Sequence, residues 1–167
     1  MRNGRKGHSL NALGDKYLIA TGGRDEKDKY LNSCELFDIA GNEWFELPPL
    51  NIARHQHTGC VVGGKSLYVF CGIKETNFIG FTGEIKTNEI EFLESKSSGS
   101  WQNVQVQSPD FSPRIAVGAI ETDKQEILLF GGTNEIGDVH SDAFIFNTTS
   151  HNILLASKDT GEQFSLR

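Results

Sequence analysis

Three times along the chain a short apolar run fills consecutive positions: Tyr17-Leu18-Ile19-Ala20, Leu67-Tyr68-Val69-Phe70 and Ile127-Leu128-Leu129-Phe130. Runs this short suit strands. Successive side chains alternate between the two faces of a strand, so unbroken apolarity predicts a sheet covered on both sides. Behind each run lies a second strand signal, Cys34-Glu35-Leu36-Phe37-Asp38, Glu89-Ile90-Glu91-Phe92 and Ala143-Phe144-Ile145-Phe146-Asn147. The first two alternate, as a half-buried strand should. No segment of ten or more residues carries a 3.6-residue apolar period, so helix is expected to be scarce.

The runs sit inside a repeat. Arg5, Arg54 and Arg114 are each followed 17 residues later by a two-residue step, Gly22-Gly23, Cys71-Gly72 and Gly131-Gly132. A Trp closes the first two units, Trp44 and Trp101, and Ile153 stands in that place in the third. These landmarks divide the chain into repeats at about 5–53, 54–113 and 114–160, and Phe164-Ser165-Leu166-Arg167 echoes Phe111-Ser112-Pro113-Arg114 as the start of a fourth unit at 164–167. From the step to the following Phe is 14 residues in units one and three (23 to 37, 132 to 146) but 20 in unit two (72 to 92). The surplus is expected to be a loop, and Asn77-Phe78-Ile79-Gly80-Phe81-Thr82-Gly83 mixes aromatics with glycines as a contact surface does.

Arg-x-x-His at the start, a strand ending in Gly-Gly, a pair such as Phe37-Asp38 and then Trp44 resembles the Kelch motif, over residues 5 to about 160. The resemblance implies an all-β chain: a partial β-propeller of about three four-stranded antiparallel Kelch blades, an incomplete ring, in a single domain over 5–167. Three departures stand out: Cys71 replaces one Gly, Val117 replaces the His that matches His8 and His57, and unit three lacks the Trp. Each landmark has a physical reason. The Gly pair permits positive φ and close backbone approach; Trp can fill the wedge between blades while its N–H finds an acceptor; Arg can give its five donors to nearby carbonyls.

Three blades do not close a ring, since propellers have roughly 4–8. An uncovered face of about 500 Å² would forfeit roughly 12 kcal/mol at about 25 cal/mol per Å², comparable to a whole domain's stability of about 5–15 kcal/mol. The cover is expected to be further blades on a longer chain, first among three candidates; the others are a second copy giving six blades and a partner protein.

Composition narrows the function. Eighteen glycines beside four prolines fit turn-rich β structure better than a disordered linker. The net charge of −6 offers no footprint for nucleic acid or an anionic membrane. No apolar stretch follows the basic start Arg2, Arg5 and Lys6, and no run of about 18 apolar residues occurs, so the chain is expected to be cytoplasmic. Cys34, Cys60 and Cys71 fit reduced thiols; a Cys60–Cys71 bond across a hairpin is the weaker alternative. The sequon Asn147-Thr148-Thr149 carries no meaning without secretion.

Several chemical motifs dissolve on inspection. Gly59-Cys60-Val61-Val62-Gly63-Gly64-Lys65-Ser66 fits the P-loop pattern, yet a strand and not a helix follows it, so Gly63-Gly64 is expected to be a hairpin turn. His55-x-His57 lacks a Cys or carboxylate set to complete a metal site, and His8 and His57 hold a repeat position. Glu84, Glu89, Glu91 and Glu94 are expected to form a solvated strand edge and loop, and no nucleophile elbow appears. No catalytic residue, metal or cofactor is assigned. Some Kelch-like propellers are copper oxidases or act on sugars, so the resemblance carries an enzyme alternative, but the copper ligands of that type do not map onto Tyr17, Tyr30 and Tyr68; an inactive truncated fragment is the other.

The resemblance implies a protein-protein interaction module, a scaffold or adaptor that could serve in substrate recognition within a larger assembly. Its binding loops are expected to be those after the glycine step, roughly 24–31, 73–87 and 133–141, with Arg24, Asp25, Glu26, Phe78, Phe81, Glu135 and Asp138 as contact residues.

Overall fold

The computed structural model describes residues 1–78, 81–94, 99–106, 108, 110–122 and 124–157, with Phe78 and Phe81 described through their backbone. The expected start of a fourth unit at 164–167, and the end of the third, lie outside the described residues. Every element among them is a strand. Blade one is the antiparallel sheet β1 (Ser9–Leu13), β2 (Tyr17–Thr21), β3 (Cys34–Asp38), β4 (Glu43–Leu47) in that order. A two-residue strand, β5 (Arg54–His55), precedes blade two, which is built from β6 (Thr58–Val62), β7 (Ser66–Phe70), β10 (Ile90–Glu94) and β11 (Gln102–Val104). Between β7 and β10 stand β8 (Ile73–Phe78) and β9 (Phe81–Lys86), and blade three is β12 (Gly118–Glu121), β13 (Glu126–Phe130), β14 (Ala143–Asn147), β15 (Ile153–Ser157).

The middle blade is covered on both faces, as its unbroken apolar run requires. Leu67 and Val69 of β7 join Ile19, Cys34, Leu50 and Trp101 in the core against blade one. Tyr68 and Phe70, the alternate residues, join Ile127, Leu129, Phe144 and Phe146 in the core against blade three. Gly63 and Gly64 both have positive φ, near 60°, and Lys65 N donates to Val62 O at 3.1 Å. That tight turn leads directly into β7, which is a hairpin and not a phosphate loop.

The glycine steps are the seams between blades. In all three the first residue lies near φ 60° (Gly22 57°, Cys71 63°, Gly131 69°) and the second near 100° (Gly23 101°, Gly72 100°, Gly132 99°). The second residue's N–H donates to the carbonyl of the next blade's Arg, Gly23 to Arg54 at 2.8 Å and Gly72 to Arg114 at 3.1 Å. A Cβ on Gly22 would meet the same Arg54 oxygen at 2.6 Å and the His57 ring at 2.7 Å. Gly22→Ala is therefore expected to destabilise by about 3 kcal/mol or more, clash added to left-handed strain. Gly14→Ala, at φ 60° with nothing within 4 Å, should cost only about 1 kcal/mol. Urea unfolding of the two variants side by side tests the contrast.

The repeat arginines give donors to carbonyls, as their residue type allows, and each adds a carboxylate. Arg5 donates to Gly22 O and Ser33 O, both at 2.8 Å, and pairs with Glu35 at 2.6 Å. Arg54 donates to Cys71 O and Glu89 O and pairs with Glu91 at 2.8 Å. Glu91 in turn accepts the backbone N–H groups of Asn51 and Ile52. It is fully buried, which corrects its expected place on a solvated edge. In unit three Phe144 lies where that carboxylate would be, and Asp142 takes over, pairing with Arg114 at 2.7 Å while the guanidinium also lies against the Phe111 and Phe144 rings.

Two other expectations are corrected. Trp101 fills a wedge, buried, with Nε1 donating to Pro48 O at 2.8 Å. Trp44 does not: it is half-buried against Phe37, ring centroids 4.9 Å apart, because none of the described residues forms a blade over that face. The surplus of six in unit two runs to Phe92, but Phe92 pairs with Tyr68 and lies with the core facing blade three, whereas Leu93, opposite Leu67, occupies the place of Phe37 opposite Leu18. Counted in register, 72 to 93 is 21 residues against 14 from 23 to 37, and the surplus is seven rather than six.

All three cysteines are free and buried, so Cys60 and Cys71 are not bonded. Burial raises the Cys60 thiol to about 11 and those of Cys34 and Cys71 to about 12, which keeps them protonated near neutrality.

Candidate functional site

The three segments that follow the glycine steps lie at one end of the blades, and two of them are the same structure. In 24–31, Asp25 Oδ1 accepts the N–H groups of Lys27 and Lys29, and Asp28 turns the chain at φ 60°. In 133–141, Asn134 Oδ1 accepts those of Ile136 and Asp138, and Gly137 turns the chain at φ 92°. A short side chain that binds the backbone two and four residues ahead closes such a loop without a long hairpin. Each loop also forms a rudimentary three-way ribbon through single bridges, Lys6 to Arg24 to Tyr30 in blade one and Ile115 to Thr133 to Val139 in blade three.

In blade two this ribbon has grown. The expected loop is a β-hairpin: β8 pairs with β9 from Ile73–Lys86 to Phe78–Phe81, and β5 pairs with β8 through Arg54–Lys74 and His55–Ile73. Ile73, Thr76, Phe78, Phe81, Thr82 and Ile85, β-branched or aromatic residues on either side of Gly80, are the strand signal that a loop expectation passed over.

The hairpin is tied to both neighbours. Glu84 of β9 binds Arg24 of the first loop, whose guanidinium lies 4.4 Å from the centre of the Tyr30 ring and also donates to the Tyr30 hydroxyl. Hydrogen bonding from Tyr30 and from Arg24 holds Glu84 below the usual carboxylate range, and burial, the first cause, raises Tyr30 to about 12. On the other side Lys86 binds Asn134 O through its ammonium group and Glu135 through its backbone N–H. Three loops are thereby joined into one continuous surface.

The expected contact residues divide accordingly. Arg24 and Glu135 work inside the surface, as clamps on the hairpin. Asp25 and Asp138 shape their own loops, Asp138 by accepting from Asn134 Nδ2 at 3.2 Å. Glu26 stands in solvent. Phe78 and Phe81 face each other in backbone pairing at the hairpin's far end, and their side chains lie outside the description. Sequence reasoning passed over Ile136 and Val139, which are 83% and 80% exposed, and Ile85 of β9, at 42%. Two aliphatic residues bared on a polar loop were the signal that could have found them.

Beneath the surface, at the seam of blades one and two, lie His8, His55 and His57. His57 is buried and its Nε2 lies 2.9 Å from Thr21 Oγ1 across the seam. Burial lowers all three, and His57, beside Arg54, falls to about 3. Among the described residues no group of three or more His, Cys, Asp and Glu is arranged to hold a metal ion. No helix of the described residues is long and apolar enough to cross a membrane.

No curated protein matches the chain. The family model described as the KLHDC2/KLHL20/DRC7 Kelch-repeats domain matches residues 2–164, nearly the whole length. Its repeat gives the arginines, glycine steps and four-stranded sheets found above a common origin, and the chain belongs to this Kelch-repeat family.

Proposed function

We propose that the chain holds a partner protein on the surface formed by loops 24–31 and 133–141 and the β8–β9 hairpin. Kelch-repeat domains commonly mediate protein-protein interaction. The observation that carries this location is the double clamp, Arg24 to Glu84 and Lys86 to Asn134 and Glu135. A hairpin standing alone is marginal in water; fixed at both sides, it presents its residues at little further ordering cost on binding. Bare Ile136 and Val139, on the loop that Lys86 clamps, supply the apolar anchor within a polar rim that recognition sites share.

In this reading the chain is an adaptor, resident in the cytoplasm, that performs no chemistry of its own. Its acidic balance, net −6, disfavours phosphate backbones and anionic lipid as partners.

The experiment compares proteins captured by the wild-type chain, by Ile136→Asp combined with Val139→Asp, and by Ile39→Asp. Ile39 is also exposed but lies at the opposite end of blade one, where its N–H bonds Lys16 O. Partners lost with the loop variant and kept with Ile39→Asp support the reading. Loss with Ile39→Asp alone, or retention by every variant, sinks it. A second measurement isolates the clamp: Glu84→Gln should leave thermal stability within about 0.5 kcal/mol, as surface pairs do, while loosening the hairpin in hydrogen exchange.

A further inference from the structure

We propose that the β8–β9 hairpin is an acid-released strap, held down while the His55 ring beneath it is neutral and freed from the first loop when that ring takes up a proton. Among the described residues three walls enclose the imidazole. The segment before β1 forms one, since a Cβ on Gly7 would stand 3.5 Å from His55 Nδ1. The first loop forms the second, where the Tyr30 ring makes a T-shaped contact with the imidazole, centroids 5.0 Å apart and planes at 73°. The third is the hairpin itself: β8 pairs with β5 through Ile73 and His55, and Glu84 of β9 holds the Arg24 that lies over Tyr30. His55 is left 7% exposed. Unit one has Lys6 at this place in the repeat and unit three has Ile115, so the imidazole belongs to the blade that carries the hairpin.

Nothing in this enclosure is arranged to receive a second ring proton. His55 Nε2 is buried without a hydrogen-bond partner among the described residues, and so is Arg24 Nε. Around the ring stand the cations Arg24 and Lys6 and the carboxylates Glu84 and Asp28, with Arg54 and His57 on either side of it in sequence. On β8, Lys74 is turned to Glu89. Both nearby carboxylates are already engaged, Asp28 with Lys6 at 2.6 Å and Glu84 with Arg24. A proton on the imidazole therefore adds a third cation to a set whose two carboxylates already hold two. Burial first, and then Arg24, lowers the ring's proton affinity against the opposing pull of Glu84 and Asp28. An opened ring takes up its proton at about 6.5 and the enclosed ring only at lower pH, so the strap is held above that value and freed as pH falls through it.

The walls differ in strength, and the weakest decides where water enters. The first two are fixed by the seam of blades one and two, through Gln56 N to Gly7 O at 2.7 Å, Gly23 N to Arg54 O at 2.8 Å and Leu31 N to Gly23 O at 2.9 Å. The hairpin is joined to the first loop through Glu84, whose side chain is 55% exposed. An exposed pair holds weakly. This tie parts before the seam does, in the manner of a local opening within a folded chain. The strap thereby places the loop surface under control of pH, a regulation that rests on the binding role proposed above for that surface.

The opening is measured on the chain alone, so it can fail while the binding role stands, and the reverse. Amide exchange of β9 and of Thr87, whose N–H donates to Gly72 O at 2.9 Å, reads it directly once expressed as protection relative to the unstructured chain. Between pH ~7.5 and pH ~5.5 this protection should fall by up to about tenfold, the limit for one imidazole. His55→Gln should abolish the fall and His57→Gln should keep it. Titration of the His55 ring by NMR needs no variant: its midpoint should lie below 6.5, and the β9 amide signals should shift with it. Unchanged wild-type protection over this range, an equal fall in His55→Gln, a fall that vanishes with His57→Gln instead, or a ring midpoint at or above 6.5 would each overturn the proposal.

Discussion

Arg54→Ala is expected to leave the chain unfolded or close to it at room temperature. The side chains of Arg54 and Glu91 are both fully buried, and removing the guanidinium leaves an ionised carboxylate inside the seam of blades one and two. Breaking one side of a buried pair costs about 3–5 kcal/mol, most of a small domain's stability of about 5–15 kcal/mol. Cys71 O and Glu89 O lose their donor in the same stroke. Arg54→Lys keeps the charge but not the planar fork that reaches three acceptors at once, and should cost about 2 kcal/mol. Arg54→Met with Glu91→Leu removes both charges and should recover part of the loss in a double-mutant cycle, though not the two carbonyl bonds. Urea midpoints for these variants decide the matter; an Arg54→Lys midpoint equal to wild type would remove the repeat arginine from the account of the fold. Arg114→Lys should be milder, because Asp142 retains 15% side-chain exposure and Gly131 O lies at 3.2 Å.

The arginines also show what a sequence can and cannot reveal. Their spacing to the glycine step was visible as a constant offset, and it marks a hydrogen bond, since Arg5, Arg54 and Arg114 donate to the first residue of their own step in every blade. Unbroken apolarity in 67–70 forecast the two-sided burial of β7 correctly, because strand geometry alone sends Leu67 and Val69 one way and Tyr68 and Phe70 the other. The carboxylate partners were not legible. Glu91 reads as a member of an acidic run until the register opposite Val69 turns it into the seam. The same ambiguity made Phe92 look equivalent to Phe37, since a slip of one residue exchanges the faces of a strand.

At the candidate site the sequence shows where the three segments lie but not how they are held to one another. Arg24 and Glu135 stand out by their charge, but a group on the neighbouring loop decides whether such a residue meets solvent or clamps a neighbour, and only the rise of the β8–β9 ribbon brings Glu84 and the Lys86 N–H to them. Trp44 and Trp101 carry the same signal in the same repeat position; their different burial follows from what lies beyond each blade and not from either local sequence.

Acid should unfold the protein earlier than its carboxylates alone require. His57 is buried, takes its hydrogen bond from or gives it to Thr21, and in the folded chain binds a proton only near pH 3, against about 6.5 when unfolded. The unfolded chain therefore holds more protons throughout that interval, and stability falls as pH falls from about 6.5 towards 3. At about 1.4 kcal/mol per pH unit, His57 alone removes about 2–3 kcal/mol by pH ~4.5 and about 5 kcal/mol by pH ~3. His8 and His55 are lowered in the same direction by burial and add to the slope. The lowered carboxylates Glu35 and Glu89 act in a separate window, since their contribution fades only as pH drops below the ordinary carboxylate value of 4.5. Urea midpoints at pH 7 and pH 5 separate the two: wild type should lose stability over this span, and His57→Gln, which keeps a hydrogen-bonding group for Thr21 but takes up no proton, should lose clearly less. Equal losses in the two proteins would mean that the imidazole at the seam is not what the acid titrates.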